Sequence, residues 1–292
     1  MKLAIYGRSF NESFNPVVQA LFDRLALQTA EVFIFDAFYS FLKPRINFSF
    51  DVKTYVNLSD MKYWPEYVVS IGGDGSMLDS VALVKNTGIP ILGINTGRLG
   101  FLSNISTDDV QVAIDALVSK NYKIETRSLL ELSTSTNVLG ENNFALNELT
   151  IHKKDSSTMM TVHAYINNEY LNSYWADGLI VATPTGSTAY SLSCGGPIVL
   201  PDSKNFIITP IAPHNLNVRP VVIPDSAVIT LKADGRSSQF LVSLDSRSEA
   251  FDSETEFTIR KAGFSVNLIQ LHSQNFLTTM RHKLTWGADK RN

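Results

Sequence analysis

The stretch Tyr67-Val68-Val69-Ser70-Ile71 carries no charge and runs straight into Gly72-Gly73-Asp74-Gly75, after which Ser76–Val84 has a helical pattern. This junction constrains the fold more than any other feature. An apolar strand that stops at a glycine turn and opens onto a helix is the repeating unit of a parallel sheet covered on both faces. The glycines permit backbone angles and close approaches that a Cβ forbids. The helix start favours an anion, through its unpaired N–H groups and its dipole. Asp74 sits among these groups. A carboxylate there can take a proton from a hydroxyl nucleophile or help to hold a metal ion. At the carboxyl end of a parallel strand, where α/β proteins bind ligands, the turn reads as a phosphate-handling site. Asp74 is its chemical centre, and Gly72 and Gly73 are candidate phosphate contacts. A plain strand-to-helix turn with an Asp cap is the alternative.

The rest of the first 120 or so residues extends this α/β pattern. Leu3–Tyr6, Glu31–Phe35 and Ile89–Ile94 read as strands, and Pro16–Leu27 and Thr107–Val118 as amphipathic helices, the latter with Ser106 as its cap. The aromatic-rich stretch 36–50 reads as a wrapped loop with core anchors. From about residue 126 short strands take over. Asn167-Asn168, Asp234-Gly235 and Ala262-Gly263 each sit between strand-like runs and signal turns. Phe276–Leu284 is helical again. The expectation is an α/β N-terminal domain with a Rossmann-like parallel sheet over 1–125, a β-rich domain over 126–272, and a helical tail over 273–292, α+β overall.

The bulk properties exclude several functions. The formal charge of −3 lacks the clustered positive charge of a nucleic-acid binder. No apolar run approaches the roughly 20 residues that a membrane span needs. The N-terminal stretch does not read as a signal sequence. Cys194 is the single cysteine, so neither an intrachain disulfide nor a Cys-rich zinc site is available. The five histidines show no metal-ligand spacing, and no fixed protein metal ligands are expected. The expected setting is cytoplasmic, with no membrane or nucleic-acid partner.

Three further motifs carry chemistry. Ile91–Ile94 ends in Asn95-Thr96-Gly97-Arg98-Leu99-Gly100-Phe101-Leu102, a second glycine-bearing loop expected on the same rim as Asp74. Arg98 is a candidate phosphate contact there, whereas Leu99, Phe101 and Leu102 read as loop anchors. Asp177–Ala182 reads as a strand leading into Thr183-Pro184-Thr185-Gly186-Ser187-Thr188-Ala189-Tyr190-Ser191-Leu192-Ser193, a run dense in small hydroxyl donors with one aromatic face. Asn147-Glu148 offers an amide and a carboxylate, which suit a base edge and a pair of ribose hydroxyls.

Taken in order, Gly72–Gly75, Asn95–Leu102, Asn147-Glu148 and Asp177–Pro197 resemble the NAD kinase family, and the likeness spans about residues 66–250. The Gly-Gly-Asp-Gly turn alone is shared with lipid kinases and phosphofructokinases. The Thr183–Ser191 run beside Asp177-Gly178 is the specific part. The resemblance implies a ligand site between two domains. It also implies transfer of the ATP γ-phosphate to the 2′-hydroxyl of the adenosine ribose of NAD, giving NADP and ADP, with a divalent cation, Mg²⁺ foremost. By position, Asp74 is the implied proton acceptor, and Asp74 and Gly75 contact NAD. Asn147 and Glu148 hold its adenosine part, and Asp177 reaches the nicotinamide end. Thr188, Ala189, Tyr190, Ser191, Leu192 and Ser193 line the dinucleotide, with Ala212 and Arg247 as further contacts. A homodimer or homotetramer is implied as well. The chain departs from the family pattern at Ser76, where Thr is frequent, at Trp175, where a basic residue is common, and at Arg247, where Gln is frequent. A lipid or sugar kinase and a non-catalytic dinucleotide sensor are the competing readings, and polyphosphate is the competing donor.

Overall fold

A computed structural model describes residues 1–28, 30–97, 100–135, 139–154, 159–235 and 239–287. The chain divides into two compact units, Met1–Thr126 with Val266–Asn292, and Arg127–Ser265.

The first unit has strands β1 (Lys2–Gly7), β2 (Glu31–Phe35), β3 (Val52–Tyr55), β4 (Tyr67–Gly72) and β5 (Ile91–Asn95). They are parallel and lie in the order β5-β4-β1-β2-β3. Every residue of β4 is buried, which is why its sequence is a continuous rather than an alternating apolar run. Helices α1 (Asn15–Ala26), α2 (Asp36–Leu42), α3 (Asp74–Val84) and α4 (Val110–Ser119) cover the sheet. Leu3, Ile5, Val69 and Ile71 of the sheet share a core with Leu21, Phe22 and Leu25 of α1 and Ile114 and Leu117 of α4. The expected loop over 36–50 begins instead as helix α2. Its Phe38 and Leu42 are buried, and Phe38 lies with Phe10 and Phe41 in one aromatic group.

The second unit is built from two antiparallel sheets. Its strands are β6 (Lys123–Ser133), β7 (Phe144–Ala145), β8 (Glu148–Lys153), β9 (Met160–Ile166), β10 (Glu169–Ala176), β11 (Gly178–Ala182), β12 (Asn205–Ile211), β13 (Val221–Pro224), β14 (Ile229–Gly235), β15 (Gln239–Leu244), β16 (Arg247–Asp252) and β17 (Glu256–Gln270). One sheet runs β13-β12-β11-β8-β15-β16, and the other places β10, β9, β14 and β17 side by side. Val162, Ala164, Ile229 and Leu231 from one sheet pack with Leu149, Leu179, Phe206 and Val242 from the other. The turn at Asn167-Asn168 forms as expected, with φ of 50° and 69° joining β9 to β10.

The two other turn signals do not join neighbouring paired strands. The runs flanking Asp234-Gly235 become β14 and β15, which lie in different sheets, β14 against β9 and β17 and β15 against β8 and β16. The runs flanking Ala262-Gly263 are one strand, β17, which passes through both residues. Its last part leaves the second unit. Leu268 pairs with Ile91 of β5, and Ile269 and Leu271 join the first core. Contacts therefore divide the chain at 265/266, whereas the sequence reading puts that boundary at 272/273. The tail forms helix α6 (Phe276–Leu284), capped by Asn275, whose side chain accepts the Thr278 N–H. No described helix is long and apolar enough to cross a membrane.

Candidate active site

In the first unit the site begins where β4 and β5 end together, with Gly72 paired to Asn95. Gly72 has φ of 147°, and a Cβ on it would lie 2.2 Å from Ser76 Oγ, so only glycine fits. Asp74 is not in the turn but is the first residue of α3, with Gly73 as the cap. Space is open around the Cα of Gly73, and the nearest atom to a Cβ on Gly75 would be Arg8 Nη1 at 3.9 Å. This helix start is thus an accessible cradle for an anion.

The Asp74 carboxylate is held firmly. Oδ2 accepts the Phe101 N–H at 2.9 Å, and Oδ1 accepts those of Leu102 at 3.1 Å and Ser103 at 3.0 Å. Hydrogen bonds to a charged group contribute about 1.5–3 kcal/mol each, so the carboxylate and the 101–103 segment fix one another. Gly100 completes the fit, because a Cβ there would lie 1.8 Å from Asp74 Oδ1. Asn95 staples the same loop, donating from Nδ2 to Ser103 O and accepting the Gly97 N–H. The Asp74 side chain keeps 32% of its surface exposed, so it remains reachable. The second glycine loop therefore shares the rim of Asp74, as its position after β5 suggests. Phe101, read from sequence as an anchor, has its ring 6.0 Å from that of Phe276 of α6, the two tilted by 37°. Arg98 and Leu99 lie outside the described residues.

Sequence reasoning missed the neighbouring cluster. Arg8 Nε donates to Asp79 Oδ2 at 2.6 Å, and the Tyr6 hydroxyl donates to the same oxygen at 2.9 Å. Burial, then Asp79, pushes the Tyr6 hydroxyl up to about 12. Tyr6 and Arg8 stand at the end of β1 and carry no local signature.

In the second unit a single buried carboxylate organises the site. Asp245 sits in the two-residue turn between β15 and β16 with φ of 53°, and its side chain is 4% exposed. Its carboxylate accepts the N–H groups of Leu146, Asn147 and Glu148 at 2.9, 2.8 and 3.3 Å. This ties the Asn147-Glu148 pair in place at the start of β8. Burial raises the Asp245 carboxyl above its usual range, and these N–H groups oppose the shift. Glu148 is pushed up to about 8, first by burial and then by Asp245, with the Tyr190 N–H opposing. Among the described residues, its buried Oε2 meets no hydrogen-bond partner. A buried carboxyl atom left unmatched is what a site for hydroxyl or amine donors from a ligand presents.

The hydroxyl-rich run reaches this pair through backbone contacts. Thr183 N donates to Asn147 O at 2.8 Å, and a Cβ on Gly186 would lie 2.1 Å from that same oxygen. Its hydroxyls, however, mostly serve the protein. Ser187 Oγ exchanges bonds with Val199, Thr188 Oγ1 donates to Thr185 O, and Ser191 Oγ meets Thr209 Oγ1 at 2.9 Å. The run forms a short 3-10 turn, Thr185–Thr188, and then helix α5 (Tyr190–Ser193). What it leaves exposed is Tyr190, Ser193 and partly Thr188, Ala189 and Leu192. The Tyr190 ring stacks at 5.8 Å on His152 of β8.

Asp177 stands just before β11, paired with Lys153 Nζ at 2.6 Å. Ala212, exposed and with φ of 44°, follows Ile211, which pairs with Gly178 beside Asp177. Trp175 lies 4.8 Å from the His214 ring. Arg247 is turned to the protein: its guanidinium donates to Asn142 O and Phe144 O and lies 5.1 Å over the Phe144 ring. Among the described residues, no three His, Cys, Asp or Glu side chains are grouped to hold a metal ion.

An α/β unit with a clamped carboxylate at a helix start, and a β unit with an unmatched buried glutamate, define a two-domain phosphotransferase of the α+β type. Residues 58–122 match the ATP-NAD kinase N-terminal domain and residues 146–271 the ATP-NAD kinase C-terminal domain. The chain is 46% identical over 294 residues to the NAD kinase of Flavobacterium johnsoniae, covering all of both chains. It is 44% identical over 295 residues to that of Bacteroides fragilis, again over the whole of both. A crystal structure of an NAD kinase from Archaeoglobus fulgidus in complex with ATP is 26% identical, with a TM-score of 0.73 over 98% of this chain and 99% of that one. The fold also matches yeast NADH kinase complexed with NADH at a TM-score of 0.88, with 24% identity over 100% of this chain and 89% of that one. The chain belongs to the NAD kinase family.

Proposed function

We propose that this chain transfers the γ-phosphate of ATP to the 2′-hydroxyl of the adenosine ribose of NAD, with Asp74 receiving the proton. The observation that carries the reading is the carboxylate of Asp74, fixed by three backbone N–H groups at an open helix start and still partly exposed. The ribose O–H bond breaks as its oxygen bonds to the γ-phosphorus. The proton passes to the carboxylate, the bond from the γ-phosphorus to the bridging oxygen breaks, and ADP leaves. A ribose hydroxyl is a poor nucleophile at neutral pH, so positioning and proton removal are most of what such a catalyst supplies. Base assistance contributes about 10²–10⁴-fold.

The residues assigned to the acceptor lie in the second unit. Glu148 pairs with Ala182 at one end of β11, and Asp177 precedes Gly178 at the other. At about 3.3 Å per residue the five residues of β11 span roughly 16 Å, a length suited to the two ends of an extended dinucleotide. Tyr190 opens the short helix that follows this strand, with its N–H bonded to Glu148. We therefore assign Asn147 and Glu148 to the adenosine ribose and base, Asp177 to the nicotinamide end, and the exposed side of Thr188–Ser193, with Ala212, to the dinucleotide between. The inward bonding of Arg247 supports a shaping role for it.

Among the described residues no three His, Cys, Asp or Glu side chains form a ready-made metal cage, and Mg²⁺ commonly binds through one or two carboxylates and the substrate's phosphates. A divalent cation, Mg²⁺ foremost, fits this reading as part of the nucleotide substrate. The proposal extends to the cytoplasm, where a lone unpaired thiol is at home. It also extends to a homodimer or homotetramer, which the position of β10 as an end strand supports. An acceptor screen tests the reading. ADP release with MgATP is expected with NAD and not with a diacylglycerol or a sphingoid base, and release with a lipid acceptor alone would overturn it.

A further inference from the structure

Helix α6 buries none of its side chains completely, yet it is tied to the loop that clamps Asp74. Gln274 Nε2 donates to Asn104 O at 2.8 Å, and Phe276 faces Phe101. Seven residues after Phe276, two turns along and so on the same helix face, comes Lys283. Its ammonium lies 4.9 Å from the centre of the Phe101 ring and 4.0 Å from Asp74 Oδ2.

That spacing is informative. It exceeds hydrogen-bonding distance, so the ammonium is drawn to the carboxylate without donating to it. Two atoms 4.0 Å apart leave room for one oxygen at about 2.8 Å from each. A hydroxyl oxygen there would donate to Asp74 and accept from Lys283 at once, and the phosphate that it attacks would then lie beside the same ammonium. Among the described residues, Arg8 is also near this helix start, and it already donates to Asp79 at 2.6 Å. A nucleoside triphosphate brings several negative charges to this cradle, and charge spreads over the transferring phosphoryl oxygens as the bond breaks.

We propose that Lys283 is a phosphate-binding residue of the transfer site, its ammonium countering the γ-phosphate of the donor beside Asp74. The tail helix is then part of the active site, delivering a cation from more than two hundred positions along the sequence. The proposal rests on the phosphotransfer reading above, and the experiment separates the two.

Lys283→Met and Lys283→Arg are made in the full chain, and three quantities are read. They are MgATP affinity by titration calorimetry without acceptor, initial rates with MgATP and NAD varied in turn, and the melting temperature. Losing a charged hydrogen bond predicts about a tenfold to hundredfold loss of MgATP affinity and of kcat/KM for ATP in the Met variant. The KM for NAD is expected within about twofold of the parent, and Arg is expected to restore most of the loss. A Met variant that binds MgATP as tightly as the parent overturns the proposal. So does a loss that tracks a fallen melting temperature and is not relieved by Arg, since that marks a packing role. The calorimetric result decides the matter even if NAD proves not to be the acceptor.

Discussion

Replacing Asp74 by Asn keeps the shape of the side chain and removes its charge. Oδ1 accepts two N–H groups and Oδ2 one, so the amide oxygen takes the two-donor place. The amide NH₂ then faces the Phe101 N–H at a position now 2.9 Å from a carboxylate oxygen, donor against donor. The variant loses one charge-assisted bond outright and weakens two others, a cost of about 1.5–3 kcal/mol. With 32% of the side chain exposed, water can satisfy the freed N–H, which favours the lower end. The fold survives a loss of this size, and the melting temperature drops by a few degrees, about 2–8 °C. Turnover falls much further. Removing the proton acceptor predicts about 10²–10⁴-fold, and the loosened 101–103 segment adds to it. NADP formation coupled to an NADP-specific dehydrogenase, with a thermal melt in parallel, measures both. A folded Asn variant whose kcat stays within about tenfold of the parent refutes the assignment of the base.

Three other perturbations probe the same architecture. Gly100→Ala puts a methyl 1.8 Å from Asp74 Oδ1 and displaces the carboxylate, so NADP formation should fall at least about 10²-fold while the circular dichroism spectrum is retained. Asp245→Ala strips three backbone donors of their acceptor, and urea unfolding should show a loss of about 3 kcal/mol or more, with a raised KM for NAD. Glu148, pushed up to about 8 in the folded state against an ordinary carboxyl value when unfolded, binds its proton more tightly in the native protein. Its contribution is therefore full below the ordinary carboxylate range and is lost as pH rises through about 8. The melting temperature should fall over that window, and Glu148→Gln should flatten the slope. An identical slope in the Gln variant would remove Glu148 from the account.

How much of this was legible in the sequence depended on the range of the signal. The β4–α3 junction was readable because a fully buried strand carries no charge and is mostly apolar on both faces, and its exit must be glycine. Helix α2 was hidden because Phe38, Tyr39 and Phe41 carry little helical preference and form a helix only through tertiary packing. The Asp234-Gly235 signal failed because a turn dipeptide does not reveal which sheet the next strand joins. Ala262-Gly263 failed because a strand tolerates glycine, and nothing lies within 4 Å of a Cβ on Gly263. The site divides in the same way. Asp74 and Asn147-Glu148 stand in short motifs, so they could be named from sequence. The clamps that hold them could not, because backbone N–H groups belong to any residue. Asp245 acts across 97 to 99 positions, Lys283 across more than two hundred. The Thr183–Ser193 run was found for its hydroxyls, but buried hydroxyls must be satisfied, and most of them bond inward to hold the exposed Tyr190 side in place.

The central claim is that one proton leaves a ribose hydroxyl as one phosphate arrives on it. Its most direct test incubates the purified chain with NAD, ATP and Mg²⁺ and quantifies ADP against NADP, the latter by its oxidation of a substrate through an NADP-specific dehydrogenase. The account predicts equal amounts of both products, and neither with Asp74→Asn at comparable times. Binding of NAD without any ADP, or ADP released with phosphate on a position other than the 2′-hydroxyl, would contradict it.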